Sequence, residues 1–310
     1  MNQVLATSDK RPSERLEFWQ EIVCKKYVSA SAATDVRGDE FSASLVSCEL
    51  GPLVAAELDA PLHVWSRKPH HVRGDGQDGF IVSLIQDGEG EITQHGRTAR
   101  VGVGDLVIYD TGAPFDYALK ARTQVIKIPR RILEAKLERP RDFLAVPIER
   151  GNPLSPALGE LVTRVLTLEP SRGADSQVAR RLSNTIVDLV ASICDLRREA
   201  SPDLRSSQAL DKVKRFVRAH LDSDDLTPER LAAAGATSVR TLNRLFGVMG
   251  TTPMRWVWSE RLEASRAALA HGQVRSVTEA AFAHGFSDVA HFSRSFKRAY
   301  GASPQRLLKK

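Results

Sequence analysis

A segment near the C-terminus occurs twice in altered form, and this repeat constrains the fold more than any other feature. Residues 231–253 read LAAAGATSVRTLNRLFGVMGTTP, and residues 281–304 read AFAHGFSDVAHFSRSFKRAYGASP. The aligned pairs include Gly235 with Gly285, Val239 with Val289, Leu242 with Phe292, Arg244 with Arg294 and Phe246 with Phe296. Each copy predicts a short apolar helix, a turn at glycine and a second, basic helix. This is the pattern of a helix-turn-helix unit whose second helix enters the DNA major groove.

Positive charge is concentrated in the same part of the chain. Residues 208–310 contain 17 Lys and Arg against nine Asp and Glu, whereas residues 1–207 contain 27 against 29. The net charge of +6 therefore lies wholly in the C-terminal third, which favours binding to DNA phosphates. The acidic residues dispersed through the same region argue against non-specific packaging of nucleic acid.

Capping residues and prolines predict seven helices in the C-terminal region. Three Thr-Pro or Ser-Pro pairs place an N-cap before a proline at the first helical position: Thr227-Pro228, Thr252-Pro253 and Ser303-Pro304. The segment 276–279, SVTE, fits a capping box. The predicted helices are 208–221, 228–234, 238–248, 253–270, 277–283, 288–299 and a short one from 304.

The helix 253–270 is expected to connect the two units. Trp256, Leu262 and Leu269 should face the core. A rigid helix here would hold the two reading helices about 34 Å apart, which is one turn of DNA.

Within each reading helix, the apolar positions are expected to pack inward and the polar positions to face DNA. The inward positions are Leu242, Leu245, Phe246, Phe292, Phe296 and Tyr300. The candidates for reading base edges are Arg240, Thr241, Asn243, Arg244, Val289, Ala290, His291, Ser293 and Arg294. Val289 is alternatively the first core residue of its helix. The candidates for phosphate contacts, which position the protein without reading sequence, are Lys297, Arg298, Arg255 and Arg275.

The N-terminal half has a different pattern. Residues 42–128 consist of short apolar runs separated by Gly, Asp and Pro, which predicts a β-barrel or sandwich. Gly88 and Gly90 predict a hairpin, and residues 102–105 predict a turn before a buried strand. Helical periodicity appears in residues 13–27, 130–137, 158–168 and 178–197.

The predicted fold class is an α+β multidomain protein. It combines an N-terminal cupin-like β-barrel with flanking helices and a C-terminal all-α double helix-turn-helix domain. The expected boundaries are 1–150 for the regulatory barrel, 151–198 for a helical dimerisation or connecting segment, 199–207 for a polar linker and 208–310 for DNA binding. The N-terminus lacks a signal peptide, and no apolar run is long enough to cross a bilayer, so we expect a cytoplasmic protein without membrane contact.

Enzyme chemistry is not expected in the barrel. A cupin-type metal site usually needs two His two residues apart with a carboxylate and a third His, but residues 80–88 contain no His. His63, His70, His71 and His95 form no metal-ligand spacing, so neither a metal nor a cofactor is predicted.

A pocket for a small molecule is the better hypothesis. Its candidate wall residues, each alternatively core or surface, are Trp65, Arg73, Phe80, Ser83, Tyr109 and Tyr117.

The C-terminal 100 residues resemble the DNA-binding domain of AraC/XylS transcription regulators. The resemblance is carried by LAAAGATSVRTLNRLF, by RW-x5-RLEASRAAL and above all by SVTEAAFAHGFSDVAHFSRSFKRAYGASPQRL. A looser resemblance, from FWQE to GDLVIYDTGAPF, links the N-terminal half to a subgroup with an AraC-binding-like barrel. That subgroup includes regulators of aromatic-compound breakdown.

The resemblance implies an activator of a catabolic operon that binds a double-stranded DNA operator. It also implies a small effector bound in the barrel, with aromatic molecules as candidates. It further implies contact with RNA polymerase and a homodimer supported by the helices around 155–197. Two alternatives stay open at this point. One is a regulator controlled only by its abundance or by a partner protein, and the other is a cupin-type enzyme with a DNA-binding appendage.

Overall fold

The computed structural model describes residues 3–76, 78–167, 176–223 and 225–308. The chain divides into two compact units, Met1–Ala200 and Ser201–Lys310. The strands are β1 Gln3–Ala6, β2 Ser31–Ala33, β3 Ser44–Leu50, β4 Leu53–Arg67, β5 Gly79–Gln94, β6 Arg97–Gly102, β7 Leu106–Asp110 and β8 Phe115–Pro129. The helices of the first unit are α1 Arg15–Lys26, α2 Pro69–Asp75, α3 Arg130–Glu134, α4 Ser155–Thr167 and α5 Gln177–Ala200. Leu168, the last residue of one predicted helix, lies outside the described residues.

The first unit is built on one antiparallel, barrel-like sheet. The strand order is β1-β3-β4-β8-β5-β6, with β2 paired to β4 and β7 paired to β5. Alternate residues of these strands enter a single apolar cluster inside the curled sheet, among them Leu45, Leu58, Ile81, Val101 and Tyr117. Trp19 of α1 is fully buried in the same cluster. Outside the sheet, α4 packs against β3 and β4, and α5 packs against β3.

The glycine pair 88 and 90 lies inside β5 and does not form the predicted hairpin. The hairpin turn comes later, between β5 and β6, where His95 and Gly96 both have positive φ. Gly88 follows an irregularity in the pairing of β5 with β8, and a Cβ at this position would collide with the Lys120 carbonyl oxygen at 2.1 Å. A Cβ on Gly90 would lie 2.9 Å from the Tyr117 ring. Both glycines therefore allow close approach of β8 to β5, which is the other common reason for glycine within a strand.

The predicted turn at residues 102–105 is confirmed. Gly104 has φ +85°, and the Asp105 carboxylate accepts a hydrogen bond from Gly102 N at 2.9 Å. β7, which follows directly, is buried along its whole length.

The second unit contains α6 Pro202–Ala219, α7 Pro228–Ala234, α8 Val239–Val248, α9 Pro253–Ala270, α10 Val277–Ala283, α11 Val289–Tyr300 and a 3-10 helix Pro304–Leu307. The predicted helices 228–234, 253–270 and 277–283 have the observed bounds. α8 and α11 each begin one residue later than predicted, because Ser238 and Asp288 are their N-caps.

The predicted polar linker, residues 199–207, is helical except at Ser201. α5 continues to Ala200, and only Ser201 separates it from α6. The Ser201 side chain caps α6 by accepting from Leu204 N at 3.5 Å. Pro202 at the first helical position and Asp203 in the first turn both favour a helix start. The polar composition of the segment led to the prediction of a linker instead.

The caps of the second unit follow the sequence with two exceptions. Thr227 and Thr252 accept from Arg230 N and Arg255 N, each at 3.3 Å, whereas Ser303 makes no side-chain cap bond. In the predicted capping box Ser276 accepts from Glu279 N at 3.0 Å, but the Glu279 carboxylate accepts from Arg275 N instead of Ser276 N. Within the described residues no helix is both long and apolar enough to cross a membrane.

Candidate nucleic-acid interface and barrel cavity

The first candidate reading helix, α8, exposes one basic and polar stripe. Leu242 and Phe246 are fully buried, and Leu245 is half-buried. Arg240, Asn243 and Arg244 are exposed on the opposite side. Positions three and four apart lie on one helix face, so these three side chains form a continuous surface. Thr241 is half-buried, and its hydroxyl lies 3.0 Å from Ser238 Oγ.

The second candidate reading helix, α11, has the same organisation. Phe292 and Phe296 are fully buried, and Tyr300 packs against the same core. Ala290, His291 and Arg294 are exposed, and Ser293 is half-buried. The His291 ring also contacts Trp258 edge-on, with 5.7 Å between centroids.

The structure favours the alternative in which Val289 is a core residue. It is half-buried and packs against the apolar cluster of the second helix-turn-helix unit. It begins the buried face of α11, so its candidacy for reading a base rests only on the part of its side chain that stays exposed.

The candidate DNA-contacting cations differ from other cations of the same unit. All seven are exposed, and within the described ranges none pairs with a carboxylate: Arg240, Arg244, Arg255, Arg275, Arg294, Lys297 and Arg298. By contrast, Glu260, Asp225 and Glu263 neutralise Arg218, Arg230 and Arg266. The uncompensated charge of these seven side chains is therefore available to phosphates and base edges.

The connecting helix α9 divides its buried face between two separate cores. Trp256 and Val257 belong to the core of the first helix-turn-helix unit, whereas Leu262 and Leu269 belong to that of the second. All three residues that were predicted to face the core, Trp256, Leu262 and Leu269, are buried. One continuous helix thus carries both units.

Sequence reasoning assigned no role to Arg261, which is buried on α9. Its guanidinium donates to the carbonyl oxygens of Leu221 and Ser223 at 3.0 and 2.6 Å and lies over the Trp258 ring. The same group lies beside the turn between α10 and α11, because a Cβ added to Gly285 would be 2.6 Å from Arg261 Cζ. Arg261 therefore ties the loop before α7 to the α10–α11 turn. Its helical phase, three residues after Trp258 and four before buried Ser265, is the signal that could have revealed it.

A small cavity lies inside the barrel-like sheet, with a volume of about 40 Å³. Four of the six predicted wall residues line it, namely Trp65, Ser83, Tyr109 and Tyr117. Arg73 does not, because it is exposed on α2. Phe80 does not either, since it alternates with Ile81 on β5 and its ring lies under the Arg130 guanidinium outside the cavity.

Hydroxyl groups form the polar part of the cavity wall. Ser83 Oγ lies 3.1 Å from Tyr117 Oη and 3.0 Å from Thr123 Oγ1. Burial raises the pKa of Tyr117 to about 12 and also raises the pKa of Tyr27 and Tyr109. All three phenols therefore stay protonated and neutral at physiological pH. Tyr27 and Thr123 were missed at the sequence level, because Tyr27 follows a helix and Thr123 lies in an apolar run.

The histidines that were considered as metal ligands are dispersed. His63 is buried, accepts a hydrogen bond from Trp19 Nε1 at 3.4 Å and lies 2.7 Å from the Pro61 carbonyl oxygen. His70 and His71 lie on α2 with their rings in contact, and His95 lies in the β5–β6 turn. In the described part of the chain, no three His, Cys, Asp or Glu side chains lie together as a metal-binding group.

Comparison with known families identifies both units. A helix-turn-helix domain model matches residues 231–310, and an AraC-binding-like domain model matches residues 19–195, more than half of the chain. The chain belongs to the AraC family of transcription regulators. As an AraC-family protein with a helix-turn-helix domain, it is a DNA-binding transcription regulator.

Relatives with assigned roles are regulators. The AraC-family chain is 30% identical over 310 residues to the transcriptional activator NphR of Rhodococcus sp, an alignment that covers 97% of this chain and 90% of the relative. It is 23% identical over 244 residues to the XylDLEGF operon transcriptional activator 1 of Pseudomonas putida, with 74% of each chain covered. These relatives are transcription regulators and support a non-enzymatic role.

A solved structure has the same fold. The crystal structure of the AraC-like transcriptional activator CuxR superposes with a TM-score of 0.53 at 22% identity, covering 86% of this chain and 96% of that one. The predicted fold class, a barrel-like N-terminal domain followed by an all-α double helix-turn-helix domain, is confirmed for this AraC-family protein.

Proposed function

We propose that the protein is a sequence-specific transcription activator that reads two adjacent major-groove segments with α8 and α11. The observation that supports this proposal most strongly is the similar organisation of the two helix-turn-helix units. Each has its own buried core, and each presents an exposed, unpaired arginine at the same repeat position, Arg244 and Arg294. Because α9 runs through both cores, the spacing of the two helices is rigid enough to match the helical repeat of DNA.

Control by a small effector is the second part of the proposal. The barrel cavity with its hydroxyl-lined wall supports it, since ligand sites are concave, mostly apolar and carry few polar groups. The names of NphR and of the XylDLEGF operon activator support activation rather than repression, and the second name supports an operon as the target. That the operon is catabolic rests on the family resemblance of the sequence. The effector must bind the activating conformation more tightly than the inactive one.

We also propose that the protein acts as a homodimer that contacts RNA polymerase. α5 exposes Val178 and Leu196, apolar side chains that a second copy can cover. A dimer would place four reading helices on one operator and so lengthen the recognised sequence.

Selection of bound DNA from a random library tests the proposal with the purified full-length protein at physiological salt. We expect a motif with two half-elements about one DNA turn, or 34 Å, apart. Salt-sensitive binding that enriches no motif, either alone or with small molecules present, would contradict the sequence-specific function. Enrichment that small molecules never alter would favour control by abundance or by a partner protein.

Replacing Arg294 by alanine is expected to relax base preference at one position of the motif. An arginine that pairs with guanine contributes about 1–3 kcal/mol of discrimination, which is roughly fivefold to 150-fold in relative affinity. Binding to a panel of single-base operator variants measures this preference. Arg298→Ala on the same helix is the control and should weaken all variants equally. Equal weakening by Arg294→Ala would make Arg294 a phosphate contact.

Replacing Lys297 by alanine is expected to weaken binding to every sequence. Loss of one phosphate contact lowers the slope of log affinity against log salt by about 0.9. Titrations at four or more salt concentrations determine this slope. Arg266→Ala removes the same charge at a position paired with Glu263 and serves as the control. An unchanged slope for Lys297→Ala would remove this residue from the phosphate-binding surface.

A further inference from the structure

The barrel cavity has an uncharged wall. None of the side chains that line it in the described part of the chain is Lys, Arg, His, Asp or Glu. The polar side-chain groups of its lining residues are the hydroxyl groups of tyrosine, serine and threonine and the indole N–H of Trp65. A carboxylate or an ammonium group entering this cavity would lose its hydration and gain no opposite charge, which is strongly unfavourable.

The nearest buried imidazole does not supply a charge either. His63 contacts the Trp65 ring at 5.4 Å between centroids but does not line the cavity. Burial lowers its pKa, and both of its ring nitrogens have partners, Trp19 Nε1 and the Pro61 carbonyl oxygen. It therefore remains neutral at physiological pH and cannot act as a counter-ion for an acid.

The hydroxyl chain of the wall runs in one direction. Thr123 Oγ1 has a single proton, which it donates to a backbone carbonyl oxygen, that of Leu84 at 3.1 Å or that of Gln124 at 3.5 Å, so it must accept from Ser83. Ser83 has then used its own proton and must accept from Tyr117. Each hydroxyl has one proton and can accept through its lone pairs. The Tyr117 oxygen is consequently left as an acceptor that has no proton to give.

A second phenol on the wall, that of Tyr27, is 3% exposed. Its buried hydroxyl makes no hydrogen bond with any residue that the structure describes. A buried hydroxyl without a partner is costly, and a ligand that pairs with it regains that loss. Tyr27 can donate or accept, whereas Tyr117 can only accept. Because both line one small cavity, a ligand hydroxyl can donate to Tyr117 and use its lone pairs for Tyr27.

We propose that the cavity selects a compact, uncharged molecule that carries a hydroxyl group on an apolar frame, an un-ionised phenol or an alcohol, over carboxylates and amines of the same size. This inference rests on the proposed role of the barrel as the effector site. The volume of about 40 Å³ is roughly three times the ~10–15 Å³ that one water needs, which favours a single ring or less. Thus, an aromatic effector that is charged, such as an aromatic acid or amine, is disfavoured.

Isothermal titration of the full-length protein at pH 7 with five probes of similar size tests the inference. The probes are phenol, anisole, toluene, benzoate and benzylamine. We expect phenol to bind about tenfold more tightly than anisole, which lacks the donor for Tyr117, and more tightly than toluene. Benzoate and benzylamine should bind at least about 100-fold more weakly than phenol, because each would bury an unpaired charge.

Two substitutions test the direction of the hydroxyl chain. Tyr117→Phe should weaken phenol binding about tenfold and leave toluene binding unchanged. Ser83→Ala should free the Tyr117 proton for the ligand, so that anisole binding rises toward that of phenol. The second variant keeps the test valid if the first fails to fold. Tyr300→Phe, in the other unit, is the matched control and should change neither affinity.

The possible outcomes separate this inference from the proposed function. Binding of benzoate or benzylamine as tightly as phenol would overturn the inference but leave the barrel as an effector site. Equal binding of anisole and phenol to the unmodified protein would overturn the assignment of Tyr117 as an acceptor. If none of the five probes binds, the inference fails. The effector role then survives only if another small molecule changes operator affinity.

Discussion

Replacing Gly285 by alanine is expected to destabilise the second helix-turn-helix unit by about 3 kcal/mol. Gly285 has φ +73°, a left-handed conformation that costs a residue with a Cβ about 1–2 kcal/mol. A Cβ there would also lie 2.6 Å from Arg261 Cζ and 2.6 Å from the Leu221 carbonyl oxygen. Because Arg261 is itself bonded to the Leu221 and Ser223 carbonyls, neither neighbour can withdraw freely. Such overpacking costs about 1–3 kcal/mol more.

Gly301→Ala is the matched control for this prediction. Gly301 has nearly the same backbone angle, φ +71°, but no heavy atom of the described residues would lie within 4 Å of its Cβ. It should lose only about 1–2 kcal/mol, the cost of the backbone conformation. Hydrogen exchange of the α10 and α11 amides in the full-length protein measures the local free energy of unfolding. Equal losses in the two variants would show that the contact with Arg261 adds nothing.

The repeat predicted the helices of the DNA-binding unit well because local signals agree with the global fold there. Caps, prolines and apolar spacing all mark the same boundaries, as at Pro253–Ala270. Repeat alignment was less informative about the role of each residue. Gly235 aligns with Gly285 but has φ −83°, and in the first unit Ala236 has the positive φ instead. Gly235 is needed for space, because a Cβ there would lie 2.8 Å from Val213 Cγ2.

The barrel was predicted less completely, because its strands are long and irregular. The runs LVAAEL and HVWSR form one strand, β4, with a register shift between Ala60 and His63. Similarly, FIVSLIQ and GEITQ both lie in β5, and FDYAL and TQVIKI both lie in β8. Glycines and polar residues at bulges resemble turn signals in sequence. These six apolar runs therefore correspond to only three strands.

The residues of the cavity wall were also predicted only in part from the sequence. Ser83 and Tyr117, both candidate wall residues, line one cavity, since alternation along a strand places them inward. Phe80 was an equally good aromatic candidate. Its side chain, however, lies on the opposite face of β5 from Ser83, and its ring packs against the Arg130 guanidinium. Tyr27 comes from the end of α1, and only the packing of that helix into the barrel brings it to the cavity. Such long-range placement has no local signal.

Replacing Phe296 by alanine is expected to abolish reading by α11 while α8 continues to read its half-element. Phe296 is fully buried and contacts Phe292 and Tyr300, with ring centroids 5.5 and 4.7 Å apart. Truncating a buried phenylalanine costs about 3–5 kcal/mol, which a unit of this size cannot easily tolerate. DNA selection with the full-length variant should then recover only the half-element that α8 contacts. Phe246→Ala should give the reciprocal result, because Phe246 is the equivalent core residue of the first unit.

Phe282→Ala provides the control, since Phe282 lies on α10 of the same unit but is 54% exposed. Its removal should change stability by less than about 0.5 kcal/mol and leave both half-elements intact. The argument depends on the two cores being separate, with α9 contributing Trp256 to one and Leu262 to the other. If Phe296→Ala loses both half-elements together, the two units fold as one cooperative block. Loss of one core would then unfold both helix-turn-helix units through α9. In that case α8 and α11 could not be treated as independent readers of DNA.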